Sequence, residues 1–196
     1  MKFRLKPEEL QRIAQLVEAE KDSIYCTLGY SLNLENGELY DHLSEDGAVG
    51  LEAQVLAILL SHYATAEATP KAGKLVKYGD LPGGHAYEKA FVNRAVQPIA
   101  DAFGESPAEL IKAAKMLGGI ALDVGDAAVD IPTFQGISLV YILWQKSEFP
   151  ASVTVLYDES ASHYLPTEDL AVIAELTTSR LLKAQSLIRD KKLEIR

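Results

Sequence analysis

The sequence predicts an α+β fold: an antiparallel or mixed sheet flanked by helices, preceded by an N-terminal helix and β-hairpin. Three observations carry this. Two strongly apolar runs, "ISLVYILW" (137–144) and "ASVTVLYD" (151–158), are separated only by "QKSEFP", and so short a link suits antiparallel neighbours. Helical patterns are interspersed with hairpins rather than alternating as regular βα units. Asn36-Gly37, between two alternating segments, is a strong hairpin turn signal.

The first element is a helix in "KPEELQRIAQLVEAEK". Pro7 suits its first turn, Glu8 and Glu9 suit the positive end of its dipole, and Leu10, Ile13, Ala14 and Val17 form a stripe. Tyr30, Leu32 and Leu34 then alternate with polar residues, as a half-buried strand does. An isolated two-stranded ribbon is marginal in water, so this one joins a sheet or packs on a helix.

"GLEAQVLAILLSHYATA" is the strongest helix, with Leu51, Val55, Ile58, Leu59 and His62 on one face. It is expected to pack on the sheet made by the two apolar strands. "KLVKYGDLPGG" reads as a short strand and a Gly-rich turn. Helical spacing resumes in "HAYEKAFVNRAVQPIADAF", where Pro98 kinks or interrupts it. "SPAE" has the form of a capping box, with Ser106 as N-cap and Glu109 three residues on, and Gly118-Gly119 ends that helix. "ALDVGDAAVDI" is one strand with a break. "ISLVYILW", nearly all apolar, reads as a central strand buried on both faces. The helix beginning at "TEDL" closes the chain, with Thr167 as N-cap.

With 196 residues, 48% hydrophobic and 24% charged, the chain reads as a single domain, 1–196. Residues 1–47 form the helix and hairpin, and 48–196 form the main core. No apolar run approaches the length of a membrane span. The N-terminus turns acidic without a secretory apolar stretch, so a cytoplasmic protein is the expectation. Nineteen basic residues against 28 acidic ones, net charge −9, disfavour nucleic acid and anionic membrane partners. The cationic tail "RDKKLEIR" is read as balancing a helix C-terminus. Cys26 is the one cysteine, so an internal disulfide and an all-cysteine metal site are excluded.

The histidines are His42, His62, His85 and His163. None has the i, i+4 spacing of a helical zinc site. His62, on an apolar helix face, is read either as a ligand to a metal or small molecule or, more plainly, as a buried histidine satisfied by a neighbour. "GDLPGGHAY" offers free N–H groups at a helix start. It contains no nucleotide fingerprint, and the plainer reading is a turn needing positive φ. Asp123, Asp126 and Asp130 fail the EF-hand spacing and read as strand-end carboxylates. Glu148 and Asp158 lie near opposite ends of one strand. Trp144 is either a platform at a pocket rim or a core aromatic.

The order "LPGG", Tyr87, Phe91, then "FG", "LGG", "GDAAV", "ILW" and "EFPASVTVLYDESASHYLPTEDLAV" resembles the bacterial and archaeal family called domain of unknown function 3786, over about residues 62–184. Its most specific parts are Trp144–Pro150 and Tyr164–Leu170. The resemblance implies no agreed activity and no catalytic residues. It does imply a setting in anaerobes, where some relatives look to carry a cysteine-rich iron–sulfur segment similar to that of corrinoid proteins. With its single cysteine this chain departs from that pattern, so an electron-transfer role would need a partner to supply the cluster.

Two functions therefore compete. One is a binding or accessory protein of anaerobic-type cofactor metabolism, with a small molecule or a protein as partner. The other is a metal-dependent or acid–base hydrolase using converging His and Asp/Glu. The expected site is a pocket lined by His62, Tyr63, His85, Tyr87, Trp144 and Glu148, where aromatic bodies with polar tips orient a ligand. A polar seam joining helix to sheet is the plainer reading of the same residues. The close spacing of Trp144, Glu148, Asp158 and His163 keeps a site within 144–170 in view.

Overall fold

The computed structural model describes residues 4–20, 23–44, 46–47 and 50–194. The architecture is α+β, with two antiparallel sheets. Helix α1 (Pro7–Leu16) starts at Pro7, as its sequence predicts, and buries Leu10, Ile13 and Ala14. Strands β1 (Ile24–Thr27), β2 (Tyr30–Asn33), β3 (Leu39–Asp41) and β4 (Asp46–Gly47) then form a sheet in sequence order. The expected hairpin is β2–β3, with Gly37 at φ +75° in its turn. It does not stand as an isolated ribbon: β1 pairs on its other edge through a tight turn at Leu28-Gly29, where both residues have positive φ, the geometry that right-twisted strands favour. The alternation of Tyr30, Leu32 and Leu34 is realised, and all three are buried.

Helix α2 (Leu51–Tyr63) corrects the sequence reading in two ways. Its buried face is Ala53, Leu56, Ala57, Leu60 and Tyr63, with Leu59 beside them. Of the expected stripe, Leu51 is 77% exposed, Ile58 39% exposed and His62 is at the surface. The helix is apolar on nearly every side, so period alone selects no face. It also lies against α1 and α6 (Thr167–Glu194). Its last turn reaches the larger sheet through the Tyr63 ring, 5.0 Å from that of Phe134.

The larger sheet has the order β5-β9-β8-β7-β6, from β5 (Leu75–Lys77), β6 (Ile120–Leu122), β7 (Ala127–Phe134), β8 (Ile137–Trp144) and β9 (Ser152–Asp158). Every pairing is antiparallel. The short link makes β8 and β9 neighbours, as expected, with Trp144 opposite Ser152 and Leu139 opposite Tyr157. "ALDVGDAAVDI" becomes the hairpin β6–β7, broken at 123–126. Strand β8 is the central strand, and all but Ile142 and Trp144 of its residues are buried.

Between β5 and β6 the chain runs through α3 (Glu88–Phe91), a π-helical turn (Val92–Val96), α4 (Gln97–Phe103) and α5 (Pro107–Met116). The π turn is the interruption that Pro98 imposes. A proline ring cannot sit against the carbonyl four residues back, and one extra residue in the turn clears it. Ser106 precedes α5, but its hydroxyl makes no cap bond. The Glu109 carboxylate instead accepts from Gln185 Nε2 at 3.1 Å and Arg189 Nη2 at 2.9 Å on α6. Gly118, at φ +83°, ends α5 as expected. Thr167 is likewise not a cap: its hydroxyl donates to the Pro82 carbonyl at 2.8 Å.

Among the described residues no helix is long and apolar enough to cross a membrane. The last side chains of the cationic tail, 191–196, lie outside the described set.

Candidate functional site

The six residues expected to share a pocket are distributed over three places. Tyr63 is fully buried, and its hydroxyl donates to the Gln135 carbonyl at 2.9 Å, in the β7–β8 turn. Trp144 ends β8, seven residues beyond Ile137, or roughly 23 Å along the strand. Glu148 lies exposed in the link that follows. His62 pairs with Asp169 at 2.7 Å, tying the end of α2 to the start of α6. Burial does not account for it: its side chain is 51% exposed. His85 stands in solvent, 3.4 Å from Glu88, and Tyr87 accepts a hydrogen bond from Arg94 at 2.6 Å. These contacts tie surface elements together, and the buried part of the polar seam is Tyr63 alone.

Trp144 is 42% exposed. Its replacement by alanine is therefore expected to cost under about 1 kcal/mol, well short of the 3–5 of a buried aromatic. Urea denaturation checks this directly. A loss above about 2 kcal/mol would show that Trp144 is packed after all.

The structure builds a different concavity. Beyond α2 the chain runs as a strap, residues 64–74, toward β5. The amide of Thr69 donates to the Tyr164 hydroxyl at 2.9 Å, which in turn donates to the Thr69 carbonyl at 2.6 Å. The amides of Ala72 and Gly73 each donate to Asp158 at 2.8 Å. Asp158 sits at the end of β9, where the chain turns into the 3₁₀ helix Glu159–His163. It also accepts from the Ser160 amide at 3.0 Å and the Ser160 hydroxyl at 2.5 Å. One carboxylate thus fixes both the strap and the 3₁₀ turn. The third wall is the Leu81-Pro82-Gly83-Gly84 turn, closed by Gly84 N–H donating to the Leu81 carbonyl at 2.9 Å. Thr167 holds this turn to α6 through Pro82.

These walls enclose a cleft of about 350 Å³ lined by Thr69, Asp80, Leu81, Glu159, Ser162 and His163 among others. Val76 and Leu81 are its buried apolar part. The sequence reading named Asp158 and His163 but missed Thr69, Asp80, Ser160 and Ser162. The available signal was the pair of motifs themselves, since "LPGG" and "YDESASHYLP" both end at this cleft. Among the described residues no three His, Cys, Asp or Glu side chains converge as metal ligands. Each histidine has its own surroundings: His42 meets Ser31, His62 meets Asp169, His85 meets Glu88, and His163 lines the cleft.

Burial pushes the Asp158 carboxyl up. The hydrogen bonds from Ser160, Ala72 and Gly73 outweigh it and hold the group down at about 2, against an ordinary 3.8. Its folded value lies below its unfolded value, so its contribution is complete above about pH 4 and is lost as pH falls toward 2. Asp158→Asn is expected to cost about 2 kcal/mol at pH 7 and much less at pH 2. Urea midpoints for both chains at the two pH values measure this, and an equal loss at both would remove the carboxylate from the account.

The sequence model described as Domain of unknown function (DUF3786) matches residues 9–180. The chain therefore belongs to that family, and the match takes in the N-terminal sheet as well as the core. Neither curated proteins nor solved structures provide a match.

Proposed function

We propose that this protein is a binding module whose site is the cleft between the strap, the Leu-Pro-Gly-Gly turn and the 3₁₀ helix Glu159–His163. The single observation that carries the reading is the convergence of those three segments on one concavity, two of them from the runs that mark the family resemblance, with a buried carboxylate fixing two of the walls. A site of this size with an apolar part and a few polar side chains takes a small molecule or one side chain of a partner protein. Acid–base work is less well served. Among the described residues the one carboxylate in contact with a cleft serine, Asp158, is held at about 2, too weak a base at neutral pH to take a hydroxyl proton.

Titration of isotope-labelled protein with a library of small polar compounds, followed by amide NMR, tests the proposal. Binders are expected to shift Thr69, Ala72, Ser160 and His163 together. If every binder instead shifts the Trp144 indole or the His85 turn and leaves the cleft unmoved, the site is elsewhere.

A further inference from the structure

The polar groups of the cleft are not evenly divided between donors and acceptors. The Thr69 hydroxyl donates to the Glu67 carbonyl at 3.2 Å, and the Ser162 hydroxyl donates to the Glu159 carbonyl at 3.2 Å. The Ser160 hydroxyl donates to Asp158 at 2.5 Å. A hydroxyl has one hydrogen and two lone pairs, so in this arrangement all three turn lone pairs to the cleft, Ser160 firmly, Thr69 and Ser162 through longer contacts. Several backbone donors at the walls are spent in the same way. Thr69 N–H goes to Tyr164, Ala72 and Ser160 N–H to Asp158, Leu81 N–H to the Tyr78 carbonyl and Glu159 N–H to the Lys74 carbonyl. Asp80 and Glu159 add two carboxylates, which only accept. Among the described residues the His163 imidazole is the one lining side chain whose donor meets no acceptor within the protein.

We infer, on the reading of the cleft as the binding site, that its ligand is an organic cation: an amine or guanidinium, presented by a free metabolite or by a lysine or arginine of a partner protein. A ligand made of acceptors would meet lone pairs on nearly every side, and an anion would meet two carboxylates as well. An ammonium or guanidinium supplies the missing donors and the opposite charge. A bare metal ion fits less well, since no three ligating side chains converge there among the described residues.

The protein's own Lys74 already pairs with one of these carboxylates. Its ammonium lies 2.6 Å from Glu159 at the cleft margin. The hydrogen bond to Glu159 and that carboxylate's charge raise its titration, and Asp80 adds to the effect. The pair is exposed and weakly held, so an incoming cation can displace it.

The test titrates the full chain with agmatine, putrescine, an acetylated arginine tetrapeptide, glutarate, erythritol and magnesium chloride, following the same cleft amides. Agmatine or the tetrapeptide is expected to bind at the cleft. Asp80→Asn with Glu159→Gln should weaken that binding about tenfold or more while leaving the urea midpoint in place. Lys74→Ala, which removes the competing ammonium, should tighten it. The tighter of agmatine and tetrapeptide distinguishes a free metabolite from a partner's side chain, and either supports the inference. Glutarate, erythritol or magnesium shifting the cleft while the cations do not would overturn the inference and leave the cleft standing as the site. No shift of the cleft by any probe, together with binding of library compounds elsewhere, would remove the site itself and the inference with it.

Discussion

Asp41→Ala is expected to lower the unfolding free energy by about 3–5 kcal/mol, the usual loss when one partner of a buried ion pair is removed. Arg180 lies midway along α6 and is fully buried. Its guanidinium crosses from the long helix into the N-terminal sheet. Nη2 donates to Asp41 Oδ1 at 2.5 Å and Nη1 to Asp41 Oδ2 at 3.0 Å, a two-pronged contact. Nε donates to the Leu28 carbonyl at 3.0 Å, and the guanidinium carbon stands 4.0 Å from the centre of the Tyr30 ring. Lys183 reaches the same carboxylate at 3.0 Å from one turn further along α6. Without Asp41, a full positive charge stays in the interior with only neutral acceptors and Glu52 at 3.6 Å.

The double replacement Asp41→Leu with Arg180→Met should cost less than Asp41→Ala alone, because no charge is then left buried. Urea midpoints of the three chains decide it. A double variant worse than the single would mean that the pair itself supplies the stability. Burial would raise the Asp41 carboxyl, but hydrogen bonds from Arg180, Ser44 and Lys183 outweigh it and hold the group well below the ordinary range. Its folded value is below its unfolded one, so this contribution persists through mild acid and disappears only as pH falls through the folded value. The acid-unfolding midpoint of Asp41→Ala is therefore expected at higher pH than that of the parent chain.

This pair was invisible in the sequence for a plain reason. Its members are 139 residues apart, and nothing local to either marks it. What was legible is what period and turn chemistry control: the antiparallel β8–β9 pair from its short link, the hairpin at Asn36-Gly37, the break at Pro98 and the buried stripe of α1. What was not legible depends on which neighbour a polar or apolar group meets. The face of α2 is one case, since an all-round apolar helix accepts several orientations. Thr167 and Glu109 are another: their types suit helix starts, yet each finds a tertiary partner, Pro82 for one and α6 for the other. The candidate site followed the same rule. The two motifs that line it carry local patterns, but the strap that closes it has none of its own, and it is placed by tertiary hydrogen bonds to Asp158 and Tyr164.

The Gly-rich turn joins the fold to the site, and its two glycines are expected to respond very differently. The sequence reading held that a glycine here needs positive φ. Gly83 does, at φ +76°, with nothing within 4 Å of an added Cβ. Gly83→Ala should therefore cost about 1–2 kcal/mol of left-handed strain and leave the cleft intact. Gly84 is needed for space. A Cβ there would stand 2.0 Å from the Tyr78 carbonyl oxygen and 3.0 Å from its carbon, a contact with backbone that no rotamer relieves. That carbonyl accepts the Leu81 amide at 3.1 Å, and the Tyr78 ring stacks on Phe91 with centroids 4.3 Å apart. Moving it disturbs the turn and the aromatic cluster against β9 at once. Gly84→Ala is accordingly expected to cost about 3 kcal/mol, at the upper end for overpacking. It should also open the Leu81 amide to hydrogen exchange and abolish whatever shifts agmatine produces at Thr69 and His163. Comparable urea midpoints and exchange protection in the two alanine variants would show that the turn yields without cost, and that the wall it forms is not rigid enough to define a site.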